Sequence, residues 1–198
     1  AASDVYKRQV ITGNWGNDLT LLVKAAKEFG LHAKFYTFYG NGLGAPAAIG
    51  DAGVDRVRAV AEWHPNAADG VANSASDRFY SAFRQRYPQA RDDYVFLRMH
   101  VMIEMLVAAM EKAKSTEAYA VAKALEGAHY QNAFHDASMR AADHQLIQPL
   151  YVSVMRKQSD GGIRFDNEGS GYGFKTELYL PAASTTLPTT CKMQRPLR

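Results

Sequence analysis

Between Val10 and Tyr39 the chain reads strand, glycine-flanked turn, helix and strand in immediate succession, and that order restricts the fold more than anything else in its 198 residues. Val10-Ile11-Thr12 is a short β-branched run that stops at Gly13-Asn14-Trp15-Gly16, the composition of a buried strand end and a turn. Asn17 is the expected N-cap of the next helix and Asp18 suits its first turn through the helix dipole. Leu19, Leu22, Val23 and Ala26 then share one face before Gly30 ends the helix. Ala33 to Tyr39 returns to aromatic and β-rich sequence. The unit is βαβ, so the fold class is α/β with a parallel sheet, whose ligand-facing loops lie at the carboxyl ends of the strands.

The same alternation continues as far as residue 90. Gly40-Asn41-Gly42-Leu43-Gly44 forms the second loop at that edge, a short helix follows around Pro46 to Ile49, and Arg56 to Trp63 alternates as a third strand. Ala72 to Arg86 is an amphipathic helix with Phe79, Tyr80, Phe83 and Tyr87 as core residues, and Pro88 ends it. Asp92 or Asp93 is placed to cap a long helix from Tyr94 to about Lys114, and Ser115-Thr116-Glu117 opens another that stops at Gly127. The two helices form an αα-hairpin. Short β segments come after it, at Phe134 to Arg140, at Leu150 to Arg156 and around Tyr172, Phe174, Leu178 and Leu180. A helix pair followed by a returning strand implies a chain that crosses between two lobes.

Composition removes several function classes. The net charge of +3 is spread along the chain without a basic block, so nucleic-acid binding has no electrostatic footprint. No apolar run is long enough to span a bilayer; the longest candidate, Val101 to Met110, is interrupted by Glu104. Cys191 is the one cysteine and has no internal disulfide partner. The first nine residues, Ala1 to Gln9, are also what the transposon end of a tagmentation adaptor encodes in frame. The expectation is therefore that they are foreign and that the native sequence enters at Val10 in mid-domain.

Four candidate sites can be weighed from the residues. Gly40-x-Gly42-x-Gly44 invites a phosphate-loop reading, because glycines let backbone amides approach an anion, but it lacks the Lys-Ser/Thr of a nucleotide loop and fits an ordinary turn. His135-Asp136 and Asp143-His144 are metal-ligand types, yet neighbours on a strand point to opposite faces, so no metal site is expected. Cys191 lies in a Pro- and Thr-rich tail with no base beside it. No Gly-x-Ser-x-Gly elbow, no His-Glu-x-x-His and no carboxylate pair stands out, so the chain reads as a non-enzyme without a cofactor. Trp15 and Tyr39 are of another kind: each follows a strand at the same sheet edge beside glycine or asparagine. They either wall a ligand cleft or pack beneath neighbouring loops.

Three ordered stretches carry a resemblance: Val10-Ile-Thr-Gly-Asn-Trp-Gly-Asn-Asp-Leu19, then Met139-Arg-Ala-Ala-Asp-His-Gln145 with Gln148-Pro-Leu-Tyr-Val152, then Leu187-Pro-Thr-Thr-Cys-Lys-Met-Gln-Arg-Pro196. Together they resemble the second half of a branched-chain amino-acid type substrate-binding protein of a bacterial ABC transporter, a periplasmic binding protein of type I. The resemblance implies two α/β lobes joined by three crossovers that close on a small ligand. On that template residues 10–90 form the C-terminal lobe, 91–147 belong to an incomplete N-terminal lobe, and 148–198 return to the C-terminal lobe and end in a tail. The apolar face of the helix from Tyr94 to Ala113 would then lack the sheet it covers. The implied partners are a small-molecule ligand, an amino acid or an amide-like compound, and a membrane permease. The implied location is periplasmic, and the implied ligand-binding residues are Asn14, Trp15, Gly16, Tyr39 and Gly40. Trp15 falls at the family's aromatic position. Tyr39 falls where leucine and isoleucine binders carry an acidic residue, so a charge-assisted contact to a ligand ammonium is replaced by a neutral hydroxyl. A cytoplasmic amide- or amino-acid-sensing regulator on the same fold is the alternative, and a nucleotide-using enzyme a more distant one.

Overall fold

The structure, a computed structural model, describes residues 9–38, 40–42, 44–68, 73–89, 93 and 95–195. It divides into two compact units, one running up to Val95 and including Tyr151–Tyr179, the other made of Phe96–Leu150 and the chain from Leu180 onward. The polypeptide therefore passes from one unit to the other three times, after Val95, Leu150 and Tyr179.

The first unit is a five-stranded sheet in the order β1-β2-β3-β7-β8. Strands β1 (Gln9–Ile11), β2 (Lys34–Thr37) and β3 (Val57–Ala61) run parallel, with Val10 opposite Phe35 and Phe35 opposite Val57 in register. The returning strand β7 (Leu150–Lys157) enters antiparallel to β3, Ser153 opposite Ala59, and β8 (Tyr172–Leu180) lies beyond it. Helices α1 (Gly16–Glu28) and α2 (Ala45–Ile49) supply the connections that parallel strands require. Leu19 and Val23 of α1, Phe35, Ile49, Val57, Met155 and Phe174 form one buried cluster. A side chain this fully removed from water contributes about 1.5–3 kcal/mol.

Two helix starts depart from the sequence expectation. Trp15, not Asn17, occupies the N-cap of α1, in extended backbone and without a side-chain cap. The cause is Gly16, whose φ of +56° turns the chain sharply enough for the helix to begin at once. The long helix α4 (Leu97–Ala113) has Phe96 at its N-cap and is not capped by Asp93. Asp93 instead turns inward, where it accepts hydrogen bonds from Tyr80 at 2.7 Å and Arg84 at 3.1 Å. Charge-assisted bonds of that kind outweigh an exposed cap. Asp92 lies outside the described residues. Helix α3 (Ala75–Arg86) is capped by Ser74, whose hydroxyl accepts from the Asp77 amide at 3.1 Å. Of its aromatic stripe, Tyr80 is fully buried, Phe79 and Phe83 are half-buried and Tyr87 is exposed.

In the second unit, α4 and α5 (Ala118–Leu125) pair as a hairpin closed at Ala109, Val121 and Ala124. Glu117 caps α5, accepting from the amides of Tyr119 and Ala120. The buried residues of α4 fall at Leu97, Val101, Met105 and Ala109, while Met99, Met102, Ile103, Leu106 and Val107 stand exposed. A helix with two apolar faces and one of them covered is short of a partner. Strands β4 (His129–Gln131), β5 (Asp136–Met139) and β6 (Leu146–Ile147) form a small antiparallel sheet. Helix α6 (Ala182–Thr185) opens the tail, and Arg195 in that tail binds Glu126 and the Ala141 carbonyl.

Candidate functional site

Because β1, β2 and β3 are parallel, the loops after them leave the sheet at one carboxyl edge. The loop after β1 is built by Thr12. Its amide extends the ladder to the Tyr36 carbonyl, its hydroxyl donates to Asn14 Oδ1 at 2.6 Å, and that hydroxyl accepts from the Asn14 amide at 3.0 Å. This local ring fixes the backbone that presents Trp15, which is 61% exposed. An indole that large left in water at the edge of a sheet is an available stacking surface. Gly16 anchors the following turn, accepting at its carbonyl from Thr20 Oγ1 at 3.0 Å.

After β2 the geometry is tighter. The Gly40 amide donates to Thr37 Oγ1 at 3.1 Å, and that hydroxyl donates to the Arg58 carbonyl at 3.1 Å, so Gly40 is locked onto the ends of β2 and β3. A Cβ at Gly40 would collide with Thr37 Oγ1 and meet Val57 Cγ1 at 3.1 Å, so glycine is here a condition of close backbone approach. Tyr39, beside it, lies outside the described residues. The third glycine, Gly44, has φ +76° at the N-cap of α2, and its amide donates to Glu168 Oε1 at 2.9 Å. The anion at this glycine loop is a carboxylate of the chain itself, which favours the turn reading over a phosphate loop.

The loop after β3 adds residues that the sequence reading did not single out. Glu62, Trp63 and His64 are all buried, at 7%, 5% and 1% exposure. Trp63 Nε1 donates to Ser76 Oγ at 2.7 Å, and its ring meets Phe79 and Tyr80 edge-on. His64 Nε2 bonds Thr176 Oγ1 at 2.9 Å, and burial pushes its pKa down to about 3, so the ring is neutral. Only the parallel sense of β3, which places its carboxyl end beside those of β1 and β2, could have drawn attention to them. Further along, Asn66, Asp77, Ile163, Arg164, Lys175 and Thr176 line a depression of about 560 Å³. Its polar groups largely satisfy one another: Arg164 pairs with Asp77 at 2.5 Å, and the Asn66 amide is held by backbone at residues 164, 165 and 174.

In the second unit, the metal-ligand types are engaged separately. His135 bonds Gln148 at 3.2 Å, Asp136 pairs with His129 at 3.1 Å, and His144 lies 3.5 Å from Glu126. Asp143 takes a two-pronged grip from Arg140 at 2.8 and 2.6 Å, which holds its carboxyl well below the usual range. Among the described residues no three His, Cys, Asp or Glu side chains gather as a metal site would. No helix among them is long and apolar enough to cross a membrane. Cys191 is exposed and unbridged.

The fold is shared with known proteins. The profile of the periplasmic binding protein family matches residues 2–161. This chain belongs to that family. Leu/Ile/Val-binding protein homolog 4 of Brucella melitensis is 32% identical over 196 aligned residues, covering 94% of this chain and 44% of the relative. Among solved structures, the leucine-, isoleucine-, valine-, threonine- and alanine-binding protein of Brucella ovis, in its closed conformation, superposes with a TM-score of 0.78 at 27% identity. That match covers 98% of this chain and 49% of the other. A branched-chain amino-acid ABC transporter periplasmic ligand-binding protein of Burkholderia xenovorans shares the fold, with a TM-score of 0.65 at 13% identity over 91% of this chain and 46% of that one. The chain thus spans about half the length of the relatives it matches.

Proposed function

We propose that this periplasmic binding protein chain forms the C-terminal lobe, and part of the other lobe, of an extracytoplasmic solute-binding protein. In this reading the whole protein captures an amino acid or a related small polar metabolite by closing two lobes on it, and delivers it to the permease of an ABC transporter without covalent chemistry. The observation that carries the reading is Trp15, held 61% exposed by the Thr12–Asn14 ring at the edge where parallel sheets receive their ligands. Trp15 covers the ligand, Asn14, Gly16 and Gly40 shape the wall, and Tyr39 supplies a neutral hydroxyl.

The ligand follows from Tyr39. With a neutral hydroxyl where leucine and isoleucine binders present a carboxylate, the lobe favours amides, aromatic acids, urea-like compounds or other amino acids over leucine, isoleucine and valine. Support for an amino-acid-like ligand comes from the names of the Brucella relatives.

The test begins with the genomic sequence upstream of the Val10 codon, followed by calorimetry on the whole gene product against amino acids, amides and aromatic acids. An export signal and a second α/β lobe upstream, with one compound binding, is the expected result. Silence across the panel would sink the reading. An open frame without an export signal would favour the sensing regulator instead, and tightest binding of an aliphatic amino acid would overturn the argument from Tyr39.

A further inference from the structure

We propose that Glu168 is a positioning residue for ligand capture, holding the far end of the glycine loop after β2 at Gly44 while Thr37 holds its buried start at Gly40; this rests on the solute-binding reading above. That loop is pinned at both ends by hydroxyl or carboxylate oxygen. At its start the Gly40 amide is held by Thr37 Oγ1 at 3.1 Å, and at its finish the Gly44 amide is held by Glu168 Oε1 at 2.9 Å. The first pin belongs to the strand that carries the loop. The second comes from a turn 124 residues away in sequence.

Glu168 is itself fixed. Its amide donates to Asp93 Oδ2 at 2.7 Å, and the Asp93 side chain, 2% exposed, is anchored in turn by the Tyr80 hydroxyl at 2.7 Å and Arg84 Nη1 at 3.1 Å. The next residue back in the turn contributes as well, Asn167 Nδ2 donating to the Asn41 carbonyl at 3.2 Å. Glu168 adopts φ +58°, a left-handed conformation uncommon outside glycine. The outcome is a continuous line from α3 through Asp93 and Glu168 to Gly44. Asp93 stands two residues before the chain leaves this unit at Val95.

A carboxylate in contact with a backbone amide forms a charge-assisted bond. Removing it takes away the bond at the Gly44 end of the loop, so that the chain from Gly40 to Gly44 is held by Thr37 at its start and by Asn167 at Asn41, while the Thr12–Asn14 ring that presents Trp15 is left in place. Glutamine keeps an oxygen at the same reach and so retains most of the geometry. The variants are E168A and E168Q in the whole gene product. The first readout is amide exchange of the peptide covering residues 40–45. The second is calorimetric affinity for whichever panel compound the wild type binds, the panel starting with L-leucine, L-threonine, L-alanine and 4-hydroxybenzoate. For E168A, exchange at the loop rises by about tenfold or more, and affinity falls by about tenfold. E168Q returns both to near the wild-type values.

Loosened exchange with unchanged affinity in E168A would overturn the proposal, as would equal losses in E168A and E168Q. A wild type that binds nothing overturns both this proposal and the reading beneath it; the wild-type titration alone separates that outcome from failure of Glu168.

Discussion

Arg58 reaches across β7 to grip Glu177 with two hydrogen bonds, Nε to Oε2 at 2.7 Å and Nη2 to Oε1 at 2.8 Å. The guanidinium side chain is 5% exposed and the carboxylate side chain 38%, so the pair is lopsided: the cation is buried and its counterion is half in water. Removing Glu177 leaves a buried charge with the backbone carbonyls of Asp55 and Arg56 and the face of the Tyr36 ring. E177A is expected to destabilise the protein by about 1–3 kcal/mol, whereas the double change R58M/E177L costs less than E177A alone. Urea midpoints of the three proteins check this, and E177A equal to wild type would contradict it.

Trp15 is expected to separate binding from stability. Its exposure means that W15A alters folding free energy by no more than about 0.5 kcal/mol, while loss of the stacking surface weakens ligand binding by about tenfold or more. Calorimetry and a thermal melt of W15A in the whole gene product read the two effects independently. A large drop in melting temperature would mean that the indole is structural.

His64 ties stability to pH. Its pKa falls from an ordinary 6.5 to about 3 on folding, so between those values the unfolded chain binds the extra proton. The stability contributed by the neutral ring is therefore complete above about pH 6.5 and declines as the pH falls toward 3, by up to about 1.4 kcal/mol per pH unit. Denaturant midpoints at pH 7.5 and 5.5 should drop more steeply for wild type than for H64Q. Parallel slopes would show that His64 is not the group responsible.

The exposed stripe of α4, Met99, Met102, Ile103, Leu106 and Val107, predicts self-association when this chain is produced by itself. Sedimentation velocity at micromolar concentration should show oligomers that M102Q/I103Q reduces. A monomer with a cooperative two-state melt would contradict the prediction.

The βαβ unit was legible because its signals are local: Leu19, Val23 and Ala26 recur at helical spacing and are the apolar residues α1 buries, with Thr20 beside them. Trp15 was legible as an edge residue because the glycines around it mark the turn. Asp93 was misread as a cap because its true partners, Tyr80 and Arg84, sit on another helix, and spacing along the chain carries no record of that meeting. Glu168 was invisible for the same reason, since its partner Gly44 is remote in sequence. Trp63 was read as the last residue of the third strand and His64 was not singled out; the sheet order reveals that they share an edge with Asn14 and Trp15.

Each compact unit is assembled from two stretches of chain that are not consecutive, and this has a temporal consequence during synthesis. The sheet cannot seat its fourth strand until Ser153 has been made to meet Ala59, 94 residues earlier, so β3 waits with an open flank while the whole helical hairpin is translated. The helical unit waits longer still, because Arg195 must emerge before it can reach Glu126. Pairings so distant along the chain close slowly, and a nascent chain holding an unfilled strand position and a bare helix stripe is prone to capture by its neighbours.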